Sequence, residues 1–354
     1  MKSKIIGVGN YIPSETITNL FFDKHVFLNE QGENLKDDNS LITSKLKKIT
    51  GIEERRYASN DQVTSDLGFI AAKNAIENSK IDPETLDYII FAHNFGDVKF
   101  GTIQSDAVPS LASRVKNLLQ IKNNFCVGYD LLFGCPGWIE GVIQANAFIK
   151  SGIAKRCLVI GAETLSRVVD EHDRDSMIYA DGAGAVILEA NDNDDDSGIK
   201  SHVSASHTLN EKDFLNFGKS YNNDSCPDTR YIKMDGRKIY EFALINVPDA
   251  MKKCFDQSGY SIDQLDKIII HQANEKMDEA IVNRFYQLYD TPPPAGIMPM
   301  VISKLGNSSV ATIPSLLTMI LNDELASHSI KENDIVLFAS VGAGMNINAF
   351  VYKF

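Results

Sequence analysis

Cys135 lies in the run Tyr129-Asp130-Leu131-Leu132-Phe133-Gly134-Cys135-Pro136-Gly137-Trp138. An apolar strand ends there, a glycine permits a sharp turn, and a proline stands where a helix would begin. Proline suits the first helical turn because its missing N–H would be an orphan in that place. The thiol is thereby set at a helix N-terminus, where the dipole favours thiolate and lowers the ordinary pKa of about 8.5. A lone cysteine is more often a buried structural residue. Cys126, Cys157 and Cys254, inside apolar periodic stretches, take that reading, and Cys226 that of a loop thiol. His271 follows the apolar strand Lys267–Ile270, at the end where open α/β sheets place ligands. Asn307, in Gly306-Asn307-Ser308-Ser309, reads by itself as a helix N-cap. Brought together, a thiol, a neutral imidazole and an amide support one chemistry. The thiolate accepts an acyl group as a thioester. The imidazole and amide then hydrogen-bond the carbonyl oxygen of a second thioester as it becomes an enolate. No metal or cofactor is required. Gly342-Ala343-Gly344 reads either as a tight turn or as a loop that brings a backbone N–H beside that of Cys135 to form an oxyanion hole. Asp181-Gly182-Ala183-Gly184-Ala185 lacks GxGxxG spacing and leads into an apolar strand, so it is expected to be a structural turn.

An internal repeat supplies the elements that must position these residues. The helical spacing of Leu67–Glu77 leads through Ile81-Asp82 to the strand Asp87–Ile90, which ends at His93-Asn94. Val247–Phe255 leads through Ile262-Asp263 to Asp266–Ile269, which ends at His271-Gln272-Ala273-Asn274. Gly134-Cys135 opens an apolar helix over Pro136–Lys150, and Gly306-Asn307 opens one over Val310–Leu321. A strand follows each, Cys157–Gly161 and Ile335–Ser340. Strands alternating with helices predict α/β layers with a largely parallel sheet. Two copies predict a duplicated α/β body, with residues 1–195 carrying the cysteine and 196–354 carrying the histidine and asparagine. The repeat makes Asn307 the counterpart of Cys135 across a pseudo-dyad, and His271 enters from the neighbouring strand. Residues 23–46 are expected to form an irregular or helical excursion, and the polar stretch 191–235 the boundary region.

Composition narrows the class. At 354 residues with 44% hydrophobic and 23% charged residues, the chain can bury a large core. Its five cysteines are odd in number, widely spaced and without a CxxC pair, which argues against a disulfide frame or a zinc site. A net charge of −12 argues against a nucleic-acid surface. No run approaches the roughly 20 apolar residues that span a bilayer. The opening Ile5-Ile6-Gly7-Val8-Gly9 is too short for a signal segment, so a cytoplasmic chain is expected. The acidic run Asp192–Asp196 reads as a solvated hairpin or loop.

With these residues assembled, the chain resembles β-ketoacyl-acyl-carrier-protein synthase III and its relatives in the thiolase superfamily. The resemblance runs end to end, through Ile5–Gly9 with Tyr11-Ile12-Pro13, Thr50-Gly51-Ile52-Glu53-Glu54-Arg55, the nucleophile region, Asp181–Ala185, His271–Asn274 and Gly306–Ser309. It implies a five-layered αβαβα fold, a homodimer and ping-pong acyl transfer. The family's catalytic Cys, His and Asn fall on Cys135, His271 and Asn307, and its second oxyanion donor on the N–H of Ala343. Val108, Arg174, Gly306, Gly342 and Gly344 fall at positions bordering substrate.

The departures are informative. Relatives that prime with acyl-coenzyme A stack its adenine between a Trp and an Arg; Arg174 keeps the Arg, but Lys45 stands at the Trp position and Ile49 replaces a further Arg. An acyl carrier protein is therefore the expected donor, docking on Arg237, Lys238, Lys276 and Arg284, although Glu241 occupies one usual Lys position. Val108 replaces a bulky Phe that gates the dimer mate's acyl pocket, which favours a longer or differently shaped chain. The loop Phe95–Asp106 is longer than in simple priming enzymes. The resemblance implies a role in fatty-acid or specialised polyketide and lipid biosynthesis, and these departures point away from housekeeping fatty-acid initiation towards a specialised relative, with dialkylresorcinol-type condensation as one narrower reading. The competing readings are a cysteine hydrolase, a simple ester- or amide-forming acyl transfer on the same trio, and a silent ketosynthase-like subunit.

Overall fold

The computed structural model describes residues 2–191 and 196–354. Its first half runs β1 (Lys2–Tyr11), β2 (Glu15–Thr18), α1 (Asn39–Thr50), β3 (Glu54–Tyr57), α2 (Thr64–Ser79), β4 (Tyr88–His93) and α3 (Leu111–Leu118). It continues with β5 (Val127–Leu132), α4 (Gly137–Lys150), β6 (Arg156–Thr164) and β7 (Asp181–Asn191). The second half runs β8 (Gly198–Ser206), β9 (Leu215–Gly218), β10 (Tyr231–Met234), α5 (Gly236–Ser258), β11 (Leu265–Ile270) and α6 (Glu275–Gln287). It ends with α7 (Ile302–Leu305), α8 (Thr312–Leu321), β12 (Ile335–Gly342) and β13 (Asn346–Lys353).

Two sheets carry the repeat. One is ordered β1-β7-β6-β4-β5 and the other β8-β13-β12-β11. Matching strands pair alike: β4 with β6 and β11 with β12 are parallel, while β6–β7, β7–β1, β12–β13 and β13–β8 are antiparallel. The sheets are thus mixed rather than largely parallel. The reason is local: β12 returns into β13 through the short turn at Gly342–Asn346, with no crossover helix to bring the chain back parallel. The fifth strand of the first sheet has a looser counterpart, since the Ile268 N–H bonds the Ile297 carbonyl.

Side-chain alternation on the buried strands assigns the layers. On β12, Ile335, Leu337 and Ala339 face Met251, Phe255 and Phe285 of α5 and α6, whereas Val336 and Phe338 face the opposite way. They meet Trp138 and Val142 of α4 and Leu316 and Leu317 of α8, which also cover Val159 and Val186 of the first sheet. The outer face of that sheet packs on Leu67 and Ala71 of α2 and Leu111 and Val115 of α3. The order is α2/α3, sheet, α4/α8, sheet, α5/α6, which is five layers. Burying one such large apolar side chain is worth ~1.5–3 kcal/mol, so the central helices anchor both sheets at once.

The run Asp181–Ala185, expected as a turn, is the first part of β7. Its second glycine serves packing: a Cβ on Gly184 would sit 2.7 Å from the Pro314 Cβ and 2.7 Å from the Ser315 N–H nitrogen, so α8 lies directly on the strand. Residues 192–195 of the acidic run lie outside the described residues. Asp196 is described, and its carboxylate meets Lys200 at 2.6 Å and Lys2 and Lys353 at 3.5 Å. The excursion of residues 23–46 is irregular up to α1, whose N-cap Asp38 accepts the Leu41 N–H. Among the described residues no helix is long and apolar enough to cross a membrane.

Candidate active site

The first element of the site is the turn between β5 and α4. The Gly137 N–H closes it on the Gly134 carbonyl at 2.7 Å, and Pro136 stands at the N-cap of α4 with helical backbone angles. Cys135 is therefore held at the mouth of the central helix, half-buried, while Cys126, Cys157 and Cys254 are buried and Cys226 is exposed.

The second half reaches this turn at two points. A Cβ on Gly134 would come within 2.6 Å of the Ala343 backbone nitrogen, and one on Gly342 within 2.6 Å of the Cys135 backbone nitrogen. The turn between β12 and β13 thus rests backbone-to-backbone on the cysteine loop, with the Ala343 amide against Gly134 and the Cys135 amide against Gly342. The Gly306–Ser309 loop makes the other contact, with the Ser309 hydroxyl donating to the Cys135 Sγ at 3.3 Å.

Asn307 is fixed by its surroundings. Its backbone bonds the Ile178 carbonyl at 3.0 Å and the Ala180 N–H at 2.8 Å, and its Oδ1 accepts the Ser309 N–H at 2.8 Å. With the amide oxygen so engaged, the Nδ2 hydrogens are the part left to reach a ligand. Behind the Ile178 segment, buried Arg55 donates to the Met177 carbonyl, the Ile17 carbonyl and the Asn19 Oδ1. Gly306 adopts φ +68°, and a Cβ there would lie 2.7 Å from the Arg55 Cβ, so the loop requires glycine at this position.

His271 directly follows β11, its N–H bonded to the Ala339 carbonyl of β12, three residues before Gly342. Among the described residues its Nδ1 is buried without a hydrogen-bond partner. Burial drives its pKa down to about 4, so the ring is neutral at physiological pH. The next residue, Gln272, pins the backbone, donating to the Pro299 carbonyl and accepting from the Val301 N–H.

The electrostatics of Cys135 differ from the sequence expectation. Burial pushes the thiol up to about 11; donation from Ser309 lowers it, the charge of Glu163 raises it, and its own N–H lowers it. In the unliganded site desolvation outweighs the helix N-terminus. Solvent access at the half-open mouth and the Ser309 hydrogen bond both work against that rise.

Beside Gly134 and Ala343 opens a cavity of about 350 Å³, walled by Phe133, Leu215, Phe217 and Ile232. This apolar space next to a thiol suits a hydrocarbon chain. Its wall of β9 and β10 falls within the stretch read from sequence as a polar boundary region. Hydrophobic alternation in Leu215-Asn216-Phe217 is the signal that could have shown a strand there. Sequence reasoning also missed Glu163 and the joining of Asn94 to Ser309, although Asn94 follows β4 as His271 follows β11.

The remaining expected positions lie outside this centre. Val108 is 87% exposed. Arg174 faces Asp175 at 3.8 Å, and the exposed Lys45 ammonium is held by Asp37. Arg237 and Lys238, at the start of α5, pair with Glu241 and Asp235 at 2.9 Å each. Lys276 is exposed on α6, and exposed Arg284 donates to the Leu244 carbonyl of α5.

Comparison with known proteins gives a consistent picture. The family model for 3-oxoacyl-[acyl-carrier-protein] synthase III matches residues 129–207, and that for its C-terminal part residues 255–354. The chain is 32% identical over 357 residues to the β-ketoacyl-[acyl-carrier-protein] synthase III of Prochlorococcus marinus, covering 98% of this chain and 95% of that one. It is 31% identical to the same enzyme of Listeria innocua, over 100% of this chain and 99% of that one. The crystal structure of 3-oxoacyl-[acyl-carrier-protein] synthase III from Aquifex aeolicus superposes with a TM-score of 0.80 at 29% identity, covering 99% and 100% of the two chains. Xanthomonas campestris OleA shares the fold, with a TM-score of 0.77 at 19% identity, covering 100% and 98%.

The raised thiol pKa predicts the behaviour of the free enzyme. Only the thiolate is alkylated, so the rate at Cys135 with iodoacetamide should keep climbing as pH rises from 7 to 9.5. Rates followed by mass spectrometry at Cys135 check this, and a plateau reached by pH 7 would contradict it.

Proposed function

The chain belongs to the 3-oxoacyl-[acyl-carrier-protein] synthase III family, and from that premise we propose which of its residues carry the reaction. The enzyme is a condensing acyltransferase that forms a carbon–carbon bond between acyl thioesters. In the first half-reaction the Cys135 thiolate adds to the donor's thioester carbonyl. The N–H groups of Cys135 and Ala343 hold the oxyanion. The donor thiol then leaves with the proton that Cys135 gave up, and the acyl chain extends into the cavity lined by Phe133, Phe217 and Ile232. In the second half-reaction the carbonyl oxygen of another thioester, one carrying a carboxylate on its α-carbon, accepts hydrogen bonds from neutral His271 and from Asn307 Nδ2 while that carboxylate leaves as carbon dioxide, the electron pair of the broken carbon–carbon bond forming the enolate. The enolate carbon attacks the acyl-Cys135 carbonyl, and the Cys135 thiolate is expelled. The observation that carries this reading is the meeting of both halves on one sulfur: Gly342 and Ala343 against the cysteine turn, and Ser309 on the Sγ.

The donor we favour is carrier-bound. An adenine sandwich needs an aromatic face, and Lys45, tied to Asp37, offers none. Because Arg237 and Lys238 face carboxylates of their own, the docking charge falls mainly to Lys276 and Arg284 on α6. We also assign a homodimer formed along β5. This strand is the outer member of its sheet, and its Val127 and Leu132, like Val108 and Phe125 nearby in sequence, are exposed. An uncovered apolar edge strand is a liability that a second copy would remove.

Three outcomes check these assignments. His271→Ala and Asn307→Ala should still load acyl groups on Cys135, as intact mass shows, but lose condensation by on the order of 10²–10³; near-normal condensation in both would refute the enolate role. The same acyl group should load faster from a carrier protein than from coenzyme A. Raising the salt should erode that advantage, since screening shortens the Debye length below about 8–10 Å. Lys276→Glu with Arg284→Glu should remove most of it, and equal loading insensitive to both changes would oppose carrier docking on α6. Sedimentation equilibrium at micromolar concentration should return twice the chain mass, and a monomer would exclude the β5 interface.

A further inference from the structure

Glu163, at the end of β6, is 1% exposed and takes no part in the steps above. Its Oε1 accepts both the backbone N–H and the side-chain Nδ2 of Asn94, each at 2.5 Å. Asn94 Nδ2 carries two hydrogens, and it also donates to the Ser309 Oγ at 3.1 Å. The Ser309 oxygen is thereby an acceptor towards Asn94, so its own proton is free for another partner. That partner is the Cys135 Sγ at 3.3 Å. Ser309 is held for this task with a left-handed φ of +52°, unusual for a residue with a side chain, and its N–H is bound by Asn307 Oδ1.

The direction of the chain matters. An Asn amide can present either its oxygen or its NH₂ group to a neighbour. Presented with the oxygen, Ser309 would turn its proton to Asn94 and leave the sulfur without a donor. Glu163 accepts on the oxygen that faces Asn94, so it selects the NH₂ orientation. Resting on the assignment of Cys135 as nucleophile, we propose that Glu163 and Asn94 act as positioning residues. Through Ser309 they aim a hydroxyl proton at the Cys135 sulfur and favour its thiolate form.

A donor to an ionised acceptor stabilises the charged form, so the proton aimed by Ser309 opposes both the burial and the direct charge of Glu163, each of which raises the thiol. The other titratable groups facing these residues do not substitute for it. Tyr179 faces Cys135, and burial holds its hydroxyl well above its usual range, so it stays neutral. His93 and Asp181 face Glu163, the first lowering and the second raising it, and burial brings the Glu163 carboxyl up to about 7.

The test is the pH profile of iodoacetamide alkylation at Cys135 in the full-length enzyme, with urea midpoints recorded to confirm folding. Ser309→Ala should slow alkylation at pH 8 by about tenfold, the effect of losing one hydrogen bond to an ionised group, and move the profile to higher pH. Ser309→Thr, which keeps the hydroxyl, should restore it. Asn94→Ala should act like Ser309→Ala, and the double variant should be no slower than either, because Asn94 acts only through Ser309. An unchanged profile in Ser309→Ala, or additive losses in the double variant, would overturn the relay. Should Ser309→Ala not fold, a parent-like profile in Asn94→Ala would overturn it equally. Peptide mapping keeps the two questions apart: label on another cysteine would refute Cys135 as the reactive thiol, whereas label on Cys135 with no response to Ser309 would refute the relay alone.

Discussion

The site depends on a contact that has no room for side chains. Gly134 and Gly342 let the cysteine turn of one half and the β12–β13 turn of the other approach until a Cβ on either would lie 2.6 Å from the opposing backbone nitrogen. That approach brings the Ala343 amide against the residue next to the nucleophile candidate, and it is possible only because both sheets grip the same pair of central helices. α4 presents Cys135 at its start, α8 is preceded by the Asn307 loop, and their shared core of Trp138, Val142, Leu316 and Leu317 fixes the distance between them. The duplication is therefore what builds the site, since neither half supplies it alone.

Electrostatically the centre is half-buried and carries little charge. Its imidazole is uncharged, its thiol is protonated at rest, and the nearby carboxyl of Glu163 is raised to about 7. Such a site stabilises charge only where charge develops, which is what an oxyanion and an enolate require. Charge on the outer helices is a different matter. Arg237 and Lys238 pair with carboxylates of their own, whereas Lys276 and Arg284 are exposed on α6.

Much of this was legible in the residue order. The strand–Gly–Cys–Pro–helix run placed Cys135, and the repeat placed Asn307 and His271 in matching loops, because 3.6- and 2-residue periodicities survive divergence of the two copies. The misreadings share a cause. Strand direction depends on how a connection returns, and the short β12–β13 turn is not distinguishable by composition from a longer crossover. The run Asp181–Ala185 read as a turn because the reason for Gly184, α8 lying on the strand, is a tertiary contact. Thiol acidity failed for a similar reason: a helix N-terminus is visible in sequence, whereas desolvation by a distant half of the chain is not. Asn94, Glu163 and Ser309 come from three separate segments, and only the fold unites them.

The most direct measurement of the central claim is the single-turnover rate of acyl loading on Cys135 in Gly342→Ala, followed by rapid quench and intact mass. Gly342 has extended backbone angles that alanine adopts without strain, so the substitution acts through the methyl alone, placed 2.6 Å from the Cys135 nitrogen, 2.8 Å from the Pro136 Cδ and 3.0 Å from the Cys135 Cβ. The account predicts a folded protein whose loading falls by on the order of 10²-fold, the scale of an ångström of misplacement at reacting atoms. Loading at the parental rate would contradict the claim that this backbone contact forms the acyl site.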